Sequence, residues 1–311
     1  MNTYDIIIVG AGPAGMTAGI YAARAGMKVL VIENKGPGGQ VALTSTIQNY
    51  PGVGNIDGFM LGQNMWDQMT ALGVATEFRT VDSIDFEAQP KRIVAEGVTF
   101  FATAIILSMG ASSRGLGVPK EKFYIGKGLS YCAVCDGMLY KNKNVAVIGG
   151  GNSALEDVLY LSNIAKHITL IHRRDGFRAE DASVKQMYAK IESTPGLIDL
   201  KLCKVVSEII GEDKVQGLKI RDVNTNQTEE IVLDGVFVAI GRSPQTELLD
   251  GKINLDAQGY IITDENMATN ISGVYAAGDI VHKNLRQIAT AISDGAIAGT
   301  HASVYCKRHK I

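Results

Sequence analysis

Two copies of one strand–turn–helix–strand pattern, in matching register, constrain this chain more than any other feature. The first opens with the apolar run Asp5-Ile-Ile-Ile-Val9 and turns at Gly10-Ala-Gly12-Pro13-Ala14-Gly15. It continues through the Ala-rich stretch Met16 to Ala25 and returns over Lys28 to Ile32, ending at Glu33. The second runs from Asn144 to Ile148 and turns at Gly149-Gly-Gly151-Asn152-Ser153-Ala154. A helical stretch from Leu155 to Ile164 and a strand from His167 to Ile171 follow, ending at His172. As many positions separate Gly10 from Glu33 as separate Gly149 from His172. A single G-x-G-x-x-G is a weak signal. Two copies in one register, each between a predicted strand and a predicted helix, point to two dinucleotide sites.

The glycines have physical roles in such a turn. The first permits the tight bend, the second lets the backbone approach a pyrophosphate, and the third position, Gly15 or Ala154, lets the helix pack closely on the strand. The pyrophosphate then lies on the helix N-terminus, where free N–H groups favour negative charge. The competing reading is two plain strand–turn–helix corners. The end of the second strand faces the adenosine ribose. Glu33 there accepts from ribose hydroxyls and repels a 2′-phosphate, so the first copy suits FAD or NAD(H). At the same register the second copy has His172, then Arg173, Arg174 and Arg178. Three guanidiniums match phosphate oxygens and favour NADPH over NADH; a surface basic cluster without a ligand is the alternative.

A third segment, Gly273-Val-Tyr-Ala-Ala-Gly278-Asp279, reads as a short strand ending beside a helix that starts near Arg286. Asp279 suits the sugar hydroxyls of a flavin side chain. The helix N-terminus at Arg286-Gln287-Ile288 suits the charge of a reduced flavin. Taken alone, Gly-Asp is only a turn.

Tyr131-Cys132-Ala-Val-Cys135-Asp136-Gly137 lies just upstream of the second repeat. A zinc site needs a second ligand pair, and Cys203 and Cys306 have no cysteine partner at metal spacing, so no metal is expected. A purely structural pair remains open. A redox dithiol is the favoured reading, because the pair shares the chain with two nucleotide turns. Asp136 is then placed to exchange protons with the thiols, or else serves as a turn or N-cap residue. Cys203 and Cys306 read as buried structural thiols.

The 311 residues suit about two domains. Gly115-Leu-Gly117-Val-Pro119 reads as the link into the second repeat, and Ile240-Gly241-Arg-Ser-Pro244 as the link out. Thr76 to Ile106 alternates and predicts antiparallel strands. Val215 to Val223 with Thr228 to Val238 predicts a hairpin, and Ile253 to Ile262 another. The fold class expected is α/β, with two Rossmann-like domains. A formal charge of −2 gives no reason to expect nucleic acid or an anionic membrane as partner. The basic tail Lys307-Arg308-His309-Lys310 reads as a solvated C-terminus. No apolar run approaches ~18 residues, so no transmembrane helix is expected. The start, lacking a basic n-region, does not read as a secretory signal, which places the protein in the cytoplasm.

Taken in order, these motifs resemble low-molecular-weight thioredoxin reductases over essentially the whole chain. The resemblance is carried by Gly10-x-Gly12-x-x-Gly15, Gly38-Gly39-Gln40, Cys132-Ala-Val-Cys135-Asp136-Gly137, Gly149-x-Gly151-x-x-Ala154, His172-Arg-Arg-x-x-x-Arg178, and Gly278-Asp279 with Arg286-Gln287. It implies a discontinuous FAD domain over 1–112 and 243–311, an NADPH domain over 113–242, so that the second Rossmann-like domain is inserted in the first, and a homodimer. It also puts Gly39, Gln40, Asn49, Gly110, Ile240 and Gly241 among the cofactor-binding residues. Cys135 is implied to sit nearer the flavin, with Asp136 managing protons. The chain departs from the family at Ser108-Met109-Gly110, where Ala-Thr-Gly is common, and at Ala133-Val134, where Ala-Thr is commoner. No redox-active C-terminal tail and no extra N-terminal domain are expected. The implied activity is reduction of oxidised thioredoxin by NADPH through FAD and the cysteine pair. A glutaredoxin-like or peroxiredoxin partner, a flavin reductase serving ferredoxin or flavodoxin, and a flavin redox sensor without turnover are the alternatives.

Overall fold

An apolar run buried on both faces belongs at the centre of a parallel sheet, and β1 (Thr3–Val9) is such a strand, buried from Ile6 to Val9. The computed structural model describes residues 2–44, 47–249 and 251–309; Lys310 of the basic tail lies outside them. The chain divides into two compact units, Met1–Ser112 with Ser243–Ile311, and Ser113–Arg242.

In the first unit β1 is flanked by β2 (Val29–Glu33) and β6 (Val98–Leu107), both parallel to it, with Ile7 opposite Leu30 and Ile105. The sheet order is β3-β2-β1-β6-β5-β4, where β3 is Ala75–Phe78, β4 Val81–Asp85 and β5 Lys91–Ala95; β17 (Val274–Ala276) pairs with β6 in parallel. The expected antiparallel run holds for β4, β5 and β6. β3 differs: it pairs in parallel with β2. The intervening α2 (Gly58–Thr70) carries the chain across the sheet, and a strand that returns through a helix returns parallel. Alternation reports which face a residue occupies and says nothing of strand direction.

One face of this sheet packs Ile6, Ile8 and Val31 beneath α1 (Pro13–Arg24), α2 and α7 (Ile288–Arg308); the other packs Ile7, Leu30, Phe86 and Ile93. α7 lies directly on α1. A Cβ at Gly295 would overlap the Ala14 carbonyl, and one at Gly299 would come within 2.5 Å of the Ala18 carbonyl. The two backbones touch because both positions are glycine.

In the second unit five strands run in the order β11-β10-β9-β15-β8. They are β8 (Leu129–Ser130), β9 (Asn144–Ile148), β10 (His167–Ile171), β11 (Ile198–Lys201) and β15 (Gly235–Val238), each parallel to its neighbour. α5 (Asn152–Leu161) packs on one face with α4 (Ala133–Asp136) and α6 (Asp181–Ser193). A three-stranded antiparallel sheet, β12 (Lys204–Ile210), β13 (Gly217–Asp222) and β14 (Thr228–Val232), supplies Ile209, Leu218 and Ile220 to the core with Ala146 and Ile148. The predicted hairpin is therefore shorter than expected. Gly235 to Val238, buried throughout, leaves it and joins β9. Between Ile253 and Ile262 only a bridge, Leu255 to Ile261, forms. α3 (Glu121–Tyr124) follows the incoming crossover, and β7 (Ala111–Ser113) pairs with β16 (Arg242–Pro244) where the chain passes between units. Among the described residues no helix is long and apolar enough to cross a membrane.

Candidate functional site

The first glycine turn is shaped by what surrounds it. Gly10 has φ +104°, and a Cβ there would stand 2.5 Å from the Ser108 carbonyl oxygen. A Cβ on Gly15 would overlap the Gly10 carbonyl, so helix and turn are in contact. Gly12 differs: a Cβ would meet nothing within 4 Å. Gly12 N-caps α1 without a side-chain bond, and Pro13 occupies the first turn. The first and third glycines thus serve packing, and the second leaves open space over uncapped N–H groups, which is what a pyrophosphate requires. Ser108 reinforces the bend: its Oγ lies 2.9 Å from the Val9 carbonyl and 3.0 Å from that of Gly10.

Three further segments reach this turn. The Glu33 carboxylate accepts from the N–H of Ala11 at 2.7 Å and of Lys35 at 2.8 Å, which leaves about two of its acceptor positions for a ribose. Gly38 donates to the Ala11 carbonyl at 2.9 Å, and a Cβ on Gly39 would lie 3.2 Å from Gly12 Cα, so Gly39 lies against the turn, and Gln40 after it is exposed. Gly278, with φ +85°, approaches Ala14 so closely that an added Cβ would stand 2.8 Å from the alanine methyl. Asp279 follows it. Arg286 stacks on the Tyr260 ring at 3.9 Å and points Nε and Nη2 at the carbonyls of Asp279 and Val281, each at 3.4 Å. Gln287 N-caps α7 in a capping box with Thr290, Ile288 is its first residue, and Asn49 Nδ2 donates to Gln287 Oε1 at 3.1 Å. Gly110 has φ +71° and its carbonyl accepts the Gln245 N–H at 3.0 Å.

Asp294 was not foreseen. Its Oδ2 accepts the Gly278 N–H at 2.9 Å and pairs with Lys283, so a carboxylate in the second turn of α7 holds the Gly278-Asp279 bend in place.

The second turn repeats the arrangement. Gly149 has φ +155° and an added Cβ would overlap the Ala239 carbonyl; Gly151, N-cap of α5, again faces nothing within 4 Å. Asn152 and Glu180 clasp each other, the Glu180 N–H donating at 2.7 Å and Asn152 Nδ2 at 3.2 Å. Ser153 is exposed. Register alone put His172 with the arginines at the ribose position, but its ring turns inward. It is 6% exposed, lies where a Cβ on Gly150 would be, and stacks on Phe177 at 5.7 Å. Burial, and beyond it the charges of Arg174, Arg178 and Arg173, hold its basicity below the usual histidine range, against a hydrogen bond with the Gly176 backbone. Arg173, Arg174 and Arg178 stay exposed, and the Arg178 N–H donates to the Gly150 carbonyl at 2.7 Å. Gly241 has φ +110° and accepts the Arg114 N–H at 2.9 Å, while Ile240 packs into the neighbouring core.

Cys132 and Cys135 form a disulfide, their Cα atoms 5.3 Å apart, across α4. The Cys135 N–H points at Cys132 Sγ at 3.2 Å. Asp136 closes α4, its N–H donating to the Cys132 carbonyl at 3.1 Å. It does not cap the following turn with its side chain. Burial raises its carboxyl above the usual range, partly offset by a hydrogen bond from Ser130. Ser130, also unforeseen, lies on β8 two residues before Cys132; the only sign of it in the sequence is a hydroxyl beside the C-x-x-C segment. Glu121 anchors the same stretch, accepting Tyr131 Oη at 2.6 Å and the N–H groups of Leu116 and Gly117 at 2.7 and 2.9 Å. Cys306 is buried, its thiol pushed up to about 12 first by burial and then by Asp5, which makes it inert. Cys203 is half-exposed rather than buried.

Comparison with known proteins agrees with this geometry. A model of the pyridine nucleotide-disulphide oxidoreductases matches residues 4–295. The chain is 41% identical over 302 residues to a 34.2 kDa protein in the rubredoxin operon of Clostridium pasteurianum, covering 97% of this chain and 96% of the relative. It is 40% identical to a thioredoxin reductase of Ureaplasma parvum, covering 99% and 98%. A crystal structure of thioredoxin reductase from Streptococcus pyogenes superposes with a TM-score of 0.91 at 40% identity, covering 99% of each chain. The chain belongs to the pyridine nucleotide-disulphide oxidoreductase family, and within it resembles the low-molecular-weight thioredoxin reductases.

Proposed function

We propose that this protein is a thioredoxin-disulfide reductase that carries electrons from NADPH, through FAD and the Cys132–Cys135 pair, to oxidised thioredoxin. One observation carries the reading: a C-x-x-C disulfide, with a half-buried carboxyl beside it, sits in a chain that has two open glycine turns at helix N-termini. Family membership implies a flavin and a pyridine nucleotide. Gly10, Gly12, Pro13, Ala14, Gly15 and Glu33 would hold the FAD, with Gly39, Gln40, Asn49, Gly110, Gly278, Asp279 and Arg286 to Ile288 around it. Gly149, Gly151, Asn152, Ser153, His172, Ile240 and Gly241 would hold NADPH, with Arg173, Arg174 and Arg178 at its 2′-phosphate. The buried, weakly basic His172 would brace the loop rather than add charge to it.

When bound, these groups supply the two electrons that open the disulfide. Thereafter the chain's own residues act. One thiolate of the pair attacks a sulfur of the partner disulfide, forming a mixed disulfide and releasing a thiolate that takes up a proton. The second thiol loses its proton, attacks the mixed disulfide, releases the reduced partner and restores Cys132–Cys135. Asp136 takes and returns the proton that each exchange moves. Val134, Met138 and Leu139 are exposed beside the pair and give a protein substrate an apolar surface to meet. Thioredoxin sits at about −270 mV, so the dithiol must be comparably reducing. The same reading makes the protein a cytoplasmic homodimer.

The test is direct. Protein loaded with FAD is bleached with NADPH, and oxidised thioredoxin is added. Colour should return catalytically in the parent and not in Cys135→Ser, which should still bind FAD. Thioredoxin turnover retained by Cys135→Ser would contradict the scheme, and faster turnover with a glutaredoxin-like protein or peroxiredoxin would change the partner.

A further inference from the structure

Ser130 is buried on β8, opposite Phe237 of β15. Its hydroxyl oxygen receives the Cys132 N–H at 3.0 Å and lies 2.6 Å from Asp136 Oδ2 and 3.3 Å from the Cys132 carbonyl. A serine hydroxyl has one proton and two acceptor positions. The Cys132 N–H fills one acceptor position. The proton then goes to the shorter and stronger contact, the carboxyl oxygen of Asp136. The other Asp136 oxygen, Oδ1, is buried and has no hydrogen-bond partner among the described residues.

We propose that Ser130 is the positioning residue for proton exchange at the redox pair: it pins Asp136 through Oδ2 and leaves Oδ1 as the oxygen that trades a proton with the dithiol. This rests on the thioredoxin-reductase reading for its purpose, though its geometry stands alone. The exchange balances simply. A cysteine S–H bond breaks with its electron pair left on sulfur, and an O–H bond forms at Oδ1. Oδ2 is then the carbonyl oxygen of a neutral acid and still accepts from Ser130. The same hydrogen bond therefore serves both charge states, and the carboxyl need not rotate between them. Because the Cys132 backbone supplies the bond that aims the serine proton, the carboxyl keeps its place relative to the pair throughout.

The surroundings of Asp136 add few other charges. Tyr140 faces it electrostatically; burial first, then Asp136 and Asp234, push its phenol up to about 12, so it stays neutral at working pH. α5 packs on this segment through Tyr160 and Leu161 against Gly137, and Ile164 of the turn that follows α5 joins them. Ser130 is thus the group that favours the carboxylate against its burial.

The full-length protein, labelled with 13C at aspartate carboxyl carbons, reads this directly. The Asp136 resonance is the one lost in Asp136→Asn, and its pH midpoint is followed in the dithiothreitol-reduced state. Ser130→Ala should raise that midpoint by about one pH unit, and Ser130→Thr, which keeps the hydroxyl, should restore it. If Ser130→Ala does not fold, Ser130→Cys, close in size and a weak donor, takes its place with the same expectation. A midpoint unchanged or lowered, or one that Ser130→Thr fails to restore, overturns the proposal. Thioredoxin turnover is measured separately. Its absence in the parent, with the midpoint still governed by Ser130, sinks the functional reading alone; normal turnover with an unmoved midpoint sinks this inference alone.

Discussion

Asp157 sets a pH dependence on stability that can be worked out in advance. It lies on α5 between the buried Leu155 and Val158. Burial, with the neighbouring charge of Glu156 and against that of Arg242, pushes its carboxyl from 3.8 up to about 7. The native state therefore binds a proton more tightly than the unfolded chain between these values. Stability falls as pH rises through that window and is level above it. At about 1.36 kcal/mol per unit the whole window is worth about 4 kcal/mol as a ceiling, of which about 3 kcal/mol accrues above pH 5. Asparagine has the same shape and cannot ionise. Asp157→Asn should be more stable than the parent near pH 8, and the advantage should shrink by about 3 kcal/mol on going to about pH 5. Urea unfolding of both proteins at the two pH values, followed by circular dichroism, measures the difference. An advantage that does not change with pH, or that grows in acid, would refute the reasoning.

Two other substitutions address the cofactor turns. Replacing Arg173 and Arg174 together with Ala should raise the KM for NADPH by at least roughly tenfold, on the order of 1.4 kcal/mol, and leave that for NADH nearly unchanged; equal effects on both would remove the 2′-phosphate assignment. Asp294→Ala strips the Gly278 N–H of its acceptor and Lys283 of its partner. It should weaken FAD binding by about tenfold, with Asp294→Asn intermediate, as read by flavin retained on dialysis.

Much of the fold was legible because it is locally encoded. The glycine turns place φ above zero where only glycine is comfortable, and their neighbours in sequence are also their neighbours in space. β9 and β10 run over the stretches that the apolar pattern predicts, Asn144–Ile148 and His167–Ile171. What stayed hidden depends on partners brought from afar. The alternating stretch that became β15 looks like the end of a hairpin until β9 claims it. His172 sits in the register of Glu33, yet Gly150 leaves a space that the imidazole fills, and no spacing rule announces that. Asp294 and Ser130 are ordinary polar residues in sequence; only the meeting of α7 with the Gly278 bend, and of β8 with the close of α4, gives them work.

The seam between α1 and α7 has a consequence for how the molecule is made. The first unit needs residues from near both ends of the chain, and even Cys306 is tied by its thiol to the Asp5 carbonyl at 3.2 Å. During synthesis the inserted unit, Ser113–Arg242, leaves the ribosome with all of its strands while the surrounding unit still lacks β17 and α7. The usual N-terminal-first order of birth is thereby inverted: the inserted unit can ripen early, and the discontinuous one stays unfinished until α7 emerges.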